Sequence, residues 1–293
     1  MRRLNAFSLT ELLVVIATMS VMAAMLFPVF AAGKAAAVKT ACMSHFKSVA
    51  QGYLLYSDDY NQYAIPVNYT PGETPISKTD RTWVQLMLPY ALNFTIFQCP
   101  ADSSNWQEME ATFDQDLVPG DLYSEFYTAS LRSNAGYNFQ YLAPIVMEAG
   151  AWTAEPRDLN TIVDPSLMLL FADSAWQVTN GVPSGGGSWL VSPPCRYAVQ
   201  DGRQVDTIVA PVSGVSKFGS HTLFAPTVGW GADENSPDQY GGVWPWHQGR
   251  TNICRIDGGA QSLTMAQVSS GCDVQPAWTG KIYNRAAYIW SPG

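Results

Sequence analysis

The chain has 293 residues, of which 47% are apolar and only 14% are charged, and its formal net charge at pH 7 is −8. An acidic surface repels nucleic acid and the sequence contains no basic cluster, so the composition excludes a nucleic-acid-binding protein. The 10 Trp, 14 Tyr and 12 Phe residues favour a β-rich body packed through aromatic side chains.

The first predicted element is a long apolar helix near the N-terminus. From Leu12 to Ala32 there are 21 residues, and only Thr18 and Ser20 are polar. At about 1.5 Å rise per residue, this segment can cross the roughly 30 Å hydrocarbon core of a bilayer. The basic pair Arg2-Arg3 precedes it and places the N-terminus in the cytoplasm by the positive-inside rule.

A glutamate, Glu11, lies where this apolar segment begins. An ionised carboxylate in hydrocarbon costs about 2.5–3.5 kcal/mol even on lenient scales, so Glu11 requires a partner or a function. A secretory signal peptide is one alternative, because small residues follow Phe30, but the apolar run exceeds the usual h-region of about 7–15 residues. A plain single-span anchor is a second alternative, and it leaves the glutamate unexplained.

The stretch AFSLTELLVVIA, beginning at Ala6, resembles the class III signal of type IV pilins and type II secretion pseudopilins. In that family a prepilin peptidase cuts before a residue that is usually Phe and methylates the new amine, and a glutamate is fifth in the mature chain. The resemblance implies a leader of residues 1–6, cleavage between Ala6 and Phe7, and an N-methylated Phe7. It also implies that Glu11 pairs with the Phe7 ammonium of its own or a neighbouring subunit, which sets the register between subunits. Ala6 departs from the family, in which this residue is usually Gly.

Pro28 is the twenty-second residue counted from Phe7, a position where many type IV pilins also carry proline. Proline removes a helical hydrogen bond and kinks or loosens the helix locally. Helical spacing continues past Lys34, so we predict one helix from Phe7 to about Asp58 whose second half is amphipathic. Its apolar stripe is Val38, Ala41, Cys42, Phe46, Val49, Tyr53 and Tyr56.

The rest of the chain is predicted to form one globular β-rich domain, residues 59–293. A short helix is predicted within 81–93, and turn residues at Asp257-Gly258-Gly259 predict a hairpin. The fold class is therefore α+β: a long N-terminal helix, residues 7–58, packed in pilin-like fashion on an antiparallel sheet with long loops. Strands are predicted within 135–144, 166–174, 187–192, 206–212, 251–256 and 260–265, and loops at 183–188 and 231–242.

A second resemblance covers most of the chain. His247 precedes Asp257-Gly258 by nine intervening residues, the spacing of a large pseudopilin-like family. That family also tends to carry a cysteine on the helix, a Cys-Pro-(Ala/Ser)-Asp element and a strand ending in Ala-Asp-Ser. The matching residues here are Cys42, the CPAD element from Cys99 to Asp102, and Asp173 within FADS.

His247, Asp257 and Asp173 could converge near strand ends as a cation site or a polar cluster. Calcium is the candidate ion because it prefers oxygen ligands, which the loop with Asp233, Glu234, Asn235 and Asp238 also offers. Zinc is not expected, because no CxxC spacing is present. The alternative is that Asp257 serves the geometry of its turn and His247 forms a hydrogen bond nearby.

The cysteines are free to pair if the domain lies outside the cytoplasm. A Cys42–Cys99 disulfide would tie the helix to the sheet, and this is the pairing we predict. Cys195, Cys254 and Cys272 then leave an odd thiol.

No catalytic function is expected, since the sequence lacks a nucleophile elbow, a phosphate loop and a zinc-protease helix. The resemblance implies a structural subunit of a type IV pilus-like or type II secretion filament. Its partners would be other copies or pseudopilins, the prepilin peptidase and the inner-membrane assembly platform. It would cross the inner membrane once before assembly and lie in a periplasmic or extracellular filament afterwards.

The alternative function is a membrane-anchored extracytoplasmic module that binds a carbohydrate or protein ligand. Trp244, Trp246 and His247 could line its groove. Burial of these tryptophans together with Trp230 would argue against it.

Overall fold

The computed structural model describes residues 8–69, 81–91, 93–102, 130–148, 151–179, 181–208, 215–218, 221–224, 230, 240–275 and 278–291. The chain divides into two units, Met1–Ala41 and Cys42–Gly293. The fold class is α+β, as predicted, with a long N-terminal helix and both antiparallel and mixed sheets.

Helix α1 runs from Leu9 to Asp59 and contains Pro28. It begins with a capping box, in which Ser8 Oγ accepts from the Glu11 N–H at 3.2 Å and Glu11 Oε2 accepts from the Ser8 N–H at 2.9 Å. The predicted C-terminal end at Asp58 is correct to within one residue. Ala6 and Phe7 lie outside the described residues.

In the unit Met1–Ala41, helix α1 exposes its large apolar side chains on every face. Their exposed fractions range from 42% at Val15 to 79% at Leu9. A helix that is apolar all round is one that is normally surrounded by lipid or by other protein. The exposed residues are Leu9, Leu12, Leu13, Val14, Val15, Ile16, Met19, Val21, Met22, Met25, Leu26, Phe27, Val29 and Phe30.

In the unit Cys42–Gly293, the remainder of α1 is one wall of the hydrophobic core. Its buried side chains include Cys42, Phe46, Val49, Tyr53 and Tyr56, which are members of the predicted apolar stripe. The Tyr53 ring meets the Phe171 ring edge-on, with 5.8 Å between centroids. The amphipathic spacing of this half therefore predicts correctly which face is buried.

The other helices are short, and most strands have two to five residues. The helices are α2 (Trp83–Met87), α3 (Phe139–Leu142) and α4 (Met265–Val268). The strands are β1 (Asn68–Tyr69), β2 (Arg81–Thr82), β3 (Ala135–Tyr137), β4 (Ile145–Glu148), β5 (Ala151–Ala154), β6 (Leu169–Asp173), β7 (Gln177–Thr179), β8 (Val182–Ser184), β9 (Tyr197–Gln200), β10 (Arg203–Asp206), β11 (Val215–Phe218), β12 (His221–Phe224), β13 (Arg250–Arg255), β14 (Ala260–Thr264), β15 (Cys272–Asp273) and β16 (Lys281–Ile282).

The central sheet has the strand order β14–β13–β6–β3 and is antiparallel throughout. All five residues of β6 are buried, which identifies it as the strand enclosed on both faces. Strands β13 and β14 form a hairpin across Asp257-Gly258-Gly259, where Gly258 has φ of +82°. The predicted hairpin is therefore confirmed.

A second sheet has the order β10–β9–β16–β15 and is mixed, because β16 runs parallel to β9. The prediction of an antiparallel domain is wrong at this pair. Four further pairs, β1–β2, β4–β5, β7–β8 and β11–β12, are two-stranded and antiparallel. A parallel pair requires a long crossover, which the spacing of short apolar runs does not reveal.

Three other predicted elements differ from the structure. The chain turns into α3 after β3 instead of continuing as a strand to residue 144. The run 187–192 is buried but forms only an isolated bridge, Tyr137–Leu190. Residues 182–184, at the edge of a predicted loop, form β8, whereas 231–239 lie outside the described part of the chain.

The segment around Trp290 closes the core. The Trp290 ring is fully buried and its Nε1–H donates to the Val268 carbonyl at 2.9 Å. Its own carbonyl accepts from Asn138 Nδ2 at 2.9 Å, and the Ile289 carbonyl accepts from the Leu169 N–H at 2.6 Å. Strand β6 is thus held in part by residues more than a hundred positions further along the chain.

Close backbone packing beside β6 requires glycine at position 136 on β3. A Cβ there would lie 2.3 Å from Val191 Cγ1, which is inside van der Waals contact. We expect Gly136→Ala to lower the free energy of unfolding by about 1–3 kcal/mol through overpacking. Thermal unfolding of the full-length protein in detergent measures this, and Gly33→Ala is the control because a Cβ at Gly33 meets no atom within 4 Å. Equal melting temperatures for Gly136→Ala and wild type would contradict the prediction.

Candidate functional site

A buried polar cluster lies where strand β6 ends. Asp173, the last residue of β6, is completely buried. Its Oδ2 accepts from the Asn252 N–H of β13 at 2.7 Å, and its carbonyl accepts from the Trp244 N–H at 2.8 Å. The first contact orients the carboxylate, and the second holds the main chain of Asp173 in place.

His247 reaches this carboxylate from the turn that leads into β13. Its Nε2 lies 3.3 Å from Asp173 Oδ2, and the residue is only 6% exposed. Reciprocal backbone hydrogen bonds with Arg250, of 3.0 and 3.2 Å, close the turn. Gln248 and Gly249 have φ of +55° and +78° in this turn.

Two buried thiols complete the cluster. Cys42 of helix α1 donates from Sγ to Asp173 Oδ1 at 3.2 Å. Cys99 of the CPAD element has its Sγ 3.5 Å from His247 Nε2. The four ligand atoms of Cys42, Cys99, Asp173 and His247 all lie within 4.8 Å of one another, and we call these four residues the dithiol cluster.

Asn134 positions the CPAD element next to the dithiol cluster. Its Oδ1 accepts from the Cys99 N–H at 2.8 Å. Its Nδ2 donates to Asp102 Oδ2 at 2.8 Å and to the Ser174 carbonyl at 3.2 Å. One buried amide therefore links the cysteine loop to the residue that follows Asp173.

The hydrogen bonds within the dithiol cluster shift its titration. A hydrogen bond from the Cys42 thiol, assisted by one from His247, lowers the pKa of Cys99. The same bond, together with burial, raises the pKa of Cys42. Burial by itself would lower the pKa of His247, but the hydrogen bonds to Asp173 and Cys99 outweigh it and raise that pKa to about 9. Without a bound ion, these shifts move Cys99 toward the thiolate form and His247 toward the imidazolium form.

A pocket of about 180 Å³ opens beside the dithiol cluster. Its wall includes Cys99, His45 and Asn134. His45 Nδ1 lies 2.9 Å from the Gln98 carbonyl, a contact typical of a packing histidine. The pocket gives small solutes a route to Cys99.

The structure brings His247 and Asp173 together, but Asp257 does not join them. Asp257 is exposed in the β13–β14 turn, where its Oδ1 accepts from the Gly259 N–H at 2.8 Å. The alternative interpretation, that Asp257 serves its turn, is therefore correct. His247 of the motif therefore lies in the dithiol cluster, whereas Asp257 lies in a hairpin turn. Nine residues of turn and strand separate the two.

The predicted Cys42–Cys99 disulfide is corrected by the structure, in which both are free thiols. Each sulfur instead has a polar partner in the dithiol cluster. The disulfide in the structure joins Cys195 and Cys272, and Cys254 is buried and free. The proposed calcium ligands Asp233, Glu234, Asn235 and Asp238 lie outside the described residues.

The tryptophans of the alternative binding groove are engaged in packing. Trp230 is buried and its Nε1–H donates to the Ser192 carbonyl at 3.0 Å. Trp246 is half-buried and donates to the Ser174 carbonyl at 2.8 Å. Trp244 is half-buried and packs near Tyr240, with 6.2 Å between ring centroids. Trp230 therefore cannot line a groove, whereas Trp244 and Trp246 keep part of their surface exposed.

A second candidate functional segment is the exposed apolar part of α1. By length and composition, α1 is able to cross a membrane. None of its most apolar 18-residue stretch is buried. Glu11 is the acidic residue of its first turn. The capping-box contacts between Glu11 and Ser8 are absent from the sequence predictions, although the Ser-x-x-Glu spacing of residues 8–11 is a signal for them.

No protein-family model, curated protein or solved structure matches this chain.

Proposed function

We propose that this protein is a structural subunit of a type IV pilus-like or type II secretion filament, assembled through the apolar part of helix α1. The main observation in support is the stretch Leu9–Phe30, in which all fourteen large apolar side chains are exposed. Glu11 lies at the start of this stretch. Burying one such side chain is worth about 1.5–3 kcal/mol. The segment therefore has a strong drive to enter a bilayer or to pack against identical segments.

A filament accounts for Glu11 better than a plain anchor does. In a bilayer the carboxylate is a cost of several kcal/mol, and the capping box needs only a hydrogen-bond acceptor, which an uncharged glutamine also provides. The N-terminus of the helix favours a negative charge by only about 0.3–1 kcal/mol, so a nearby cation accounts for the charge better. The ammonium of a chain processed before Phe7 supplies one, in the same subunit or the next, and a pair of this kind fixes register.

In this proposal the protein first crosses the inner membrane once, with its N-terminus in the cytoplasm. The prepilin peptidase removes residues 1–6 and methylates Phe7, and the assembly platform moves the helix from lipid into the filament. Apolar side chains are as well accommodated among neighbouring helices as among lipid tails, so the transfer costs little. Pro28 lies in the middle of this helix and lets it bend where it meets its neighbours.

Two substitutions at Glu11 separate the charge from the cap. Glu11→Val removes both, and Glu11→Gln keeps an acceptor for the Ser8 N–H but removes the charge. We expect both variants to insert in the membrane at wild-type levels and to give at least about tenfold fewer filaments, since loss of a buried charge partner costs several kcal/mol. The measurement is the amount of subunit in sheared filaments relative to that in membranes.

Ser8→Ala is the matched control for the cap, since it removes the hydroxyl contacts with Glu11 and leaves the charge. It should assemble nearly as wild type does. Undiminished filament yield from Glu11→Gln would show that the charge does not set register. Mass spectrometry of the N-terminal peptide completes the test, because a chain that retains Met1 in the native envelope would refute processing and with it the filament proposal.

A further inference from the structure

We propose that the dithiol cluster binds one zinc ion, with Cys42, Cys99, Asp173 and His247 as its four ligands. The site lies wholly within the unit Cys42–Gly293. It goes beyond the proposed filament function and does not depend on it, because it would hold the domain together in a monomer as well.

The contacts within the dithiol cluster are close to those of a tetrahedral site. Zinc at about 2.3 Å from sulfur and about 2.0–2.2 Å from nitrogen or oxygen holds its ligand atoms roughly 3.3–3.8 Å apart. The distances in the cluster are 3.2 Å from Cys42 Sγ to Asp173 Oδ1, 3.3 Å from His247 Nε2 to Asp173 Oδ2, and 3.5 Å from Cys99 Sγ to His247 Nε2. The two contacts of Asp173 use different oxygens, so the four ligand atoms, which lie within 4.8 Å of one another, would draw closer together around an ion.

The ligand types select zinc over the calcium considered from the sequence. Calcium takes six to eight oxygen ligands, and this cluster offers one carboxylate. Two thiolates, an imidazole and a carboxylate in a tetrahedron suit zinc. No CxxC spacing marks the site, because its ligands come from four separate segments at positions 42, 99, 173 and 247.

The surroundings orient the ligands as a metal site requires. Asp173 Oδ2 is held by the Asn252 N–H, and the Cys99 N–H is held by Asn134 Oδ1. Outer contacts of this kind fix ligand direction and are worth about 10–100-fold in metal affinity. The pocket that reaches Cys99 provides the path by which the ion enters.

A divalent ion keeps the net charge of the buried site small. Two thiolates and one carboxylate around a divalent ion and a neutral imidazole sum to −1, and backbone N–H groups compensate part of that. Zinc would take the place of the His247 proton as the cation beside the buried Asp173 carboxylate, since ligands release their protons when a metal binds. Since four protein ligands fill the tetrahedron, the ion would be structural and not catalytic.

Zinc at this site would tie helix α1 to the end of β6, to the CPAD element and to the turn before β13. A single ion would replace the covalent link between helix and sheet that a Cys42–Cys99 disulfide would have made. The two arrangements exclude one another, because each uses both sulfurs.

The test uses the full-length protein, purified in detergent with its thiols reduced, mixed with zinc chloride and desalted. We expect about one zinc per chain by elemental mass spectrometry, as for a closed four-ligand site. With cobalt(II) in place of zinc, we expect a thiolate-to-metal charge-transfer band and the strong visible bands of a tetrahedral ion. Cys99→Ser should reduce the affinity for zinc at least about tenfold and remove about half of the charge-transfer intensity.

Cys254→Ala is the matched control, because Cys254 is a buried free thiol outside the dithiol cluster, and it should retain the full zinc content. The proposal is overturned if the reduced wild-type protein retains no zinc and gives no charge-transfer band. It is equally overturned if peptide mapping of the native protein finds a Cys42–Cys99 disulfide, or if Cys254→Ala loses as much zinc as Cys99→Ser. The wild-type cobalt spectrum decides the matter even if Cys99→Ser fails to fold, and none of these results bears on filament assembly.

Discussion

Replacing both Cys195 and Cys272 with alanine is expected to lower the free energy of unfolding by about 4.5 kcal/mol, the chain-entropy value for a loop of this length. The disulfide joins residues 77 positions apart. It connects β15, on one edge of the second sheet, to the segment that leads into β9. Without it, the unfolded chain gains the freedom of that long loop while the native contacts change little.

Thermal unfolding of the full-length protein in detergent measures this effect, with an expected fall in melting temperature of about 10 °C or more. A phosphine reductant should shift wild type toward the double variant and leave the double variant unchanged. Cys254→Ala serves as the control for the loss of a buried sulfur. If the double variant melts within about 2 °C of wild type, the disulfide does not constrain the unfolded chain as the loop length requires.

Trp83→Ala is expected to cost about 3–5 kcal/mol of stability, the range for deleting a buried aromatic side chain. Trp83 is fully buried and stacks on Phe171 of β6, with 4.8 Å between ring centroids. It also contacts Phe97 and Tyr137 edge-on or tilted, at 5.8 and 5.5 Å. Its Nε1–H donates to the Trp189 carbonyl at 2.8 Å, which also accepts from the Tyr137 N–H at 3.0 Å, so truncation leaves a cavity and removes one of the two hydrogen bonds of that carbonyl.

Trp83→Phe keeps a six-membered ring in the stack and removes the N–H donor together with part of the ring volume. We expect it to cost less than Trp83→Ala, with about 0.5–1.5 kcal/mol of the loss coming from the hydrogen bond, because the Trp189 carbonyl keeps the Tyr137 N–H as a partner. Denaturant unfolding compares both variants with Tyr283→Ala, which alters a side chain that is 73% exposed. Equal stabilities of Trp83→Ala and Tyr283→Ala would show that the aromatic stack contributes little to the core.

Elements with a local signal are predictable from the sequence. The apolar and then amphipathic spacing of α1, the buried run of β6 and the Asp-Gly-Gly hairpin each depend on neighbouring residues, and the structure contains all three. The run 187–192 resembles a strand because a buried extended segment has the same apolar composition whether or not it pairs. The parallel contact between β16 and β9 depends on long-range topology, which local spacing does not carry.

The candidate site is predictable only in part for the same reason. His247 and Asp173 are selected by their motifs and do meet. Asp257 belongs to the same motif as His247, yet nine intervening residues carry the two to different places. The roles of Cys42 and Cys99 as partners of a carboxylate and an imidazole follow from tertiary packing. So does the pairing of Cys195 with Cys272, since five cysteines offer many pairings with equal local support.

Completion of the hydrophobic core during synthesis depends on Trp290, one of the last residues that the structure describes. Both Cys42 and Trp290 belong to one buried core, so the first and last parts of the unit Cys42–Gly293 must be present together. The Leu169 N–H of the central strand β6 donates to the Ile289 carbonyl, and Ile289 leaves the ribosome long after β6 does. The core therefore cannot be completed until residue 290 has left the ribosome, and its many long-range pairings make that folding slow. In that interval the aromatic residues of the core are open to proteases and to aggregation, so a nascent chain that stalls before residue 289 becomes a substrate for degradation.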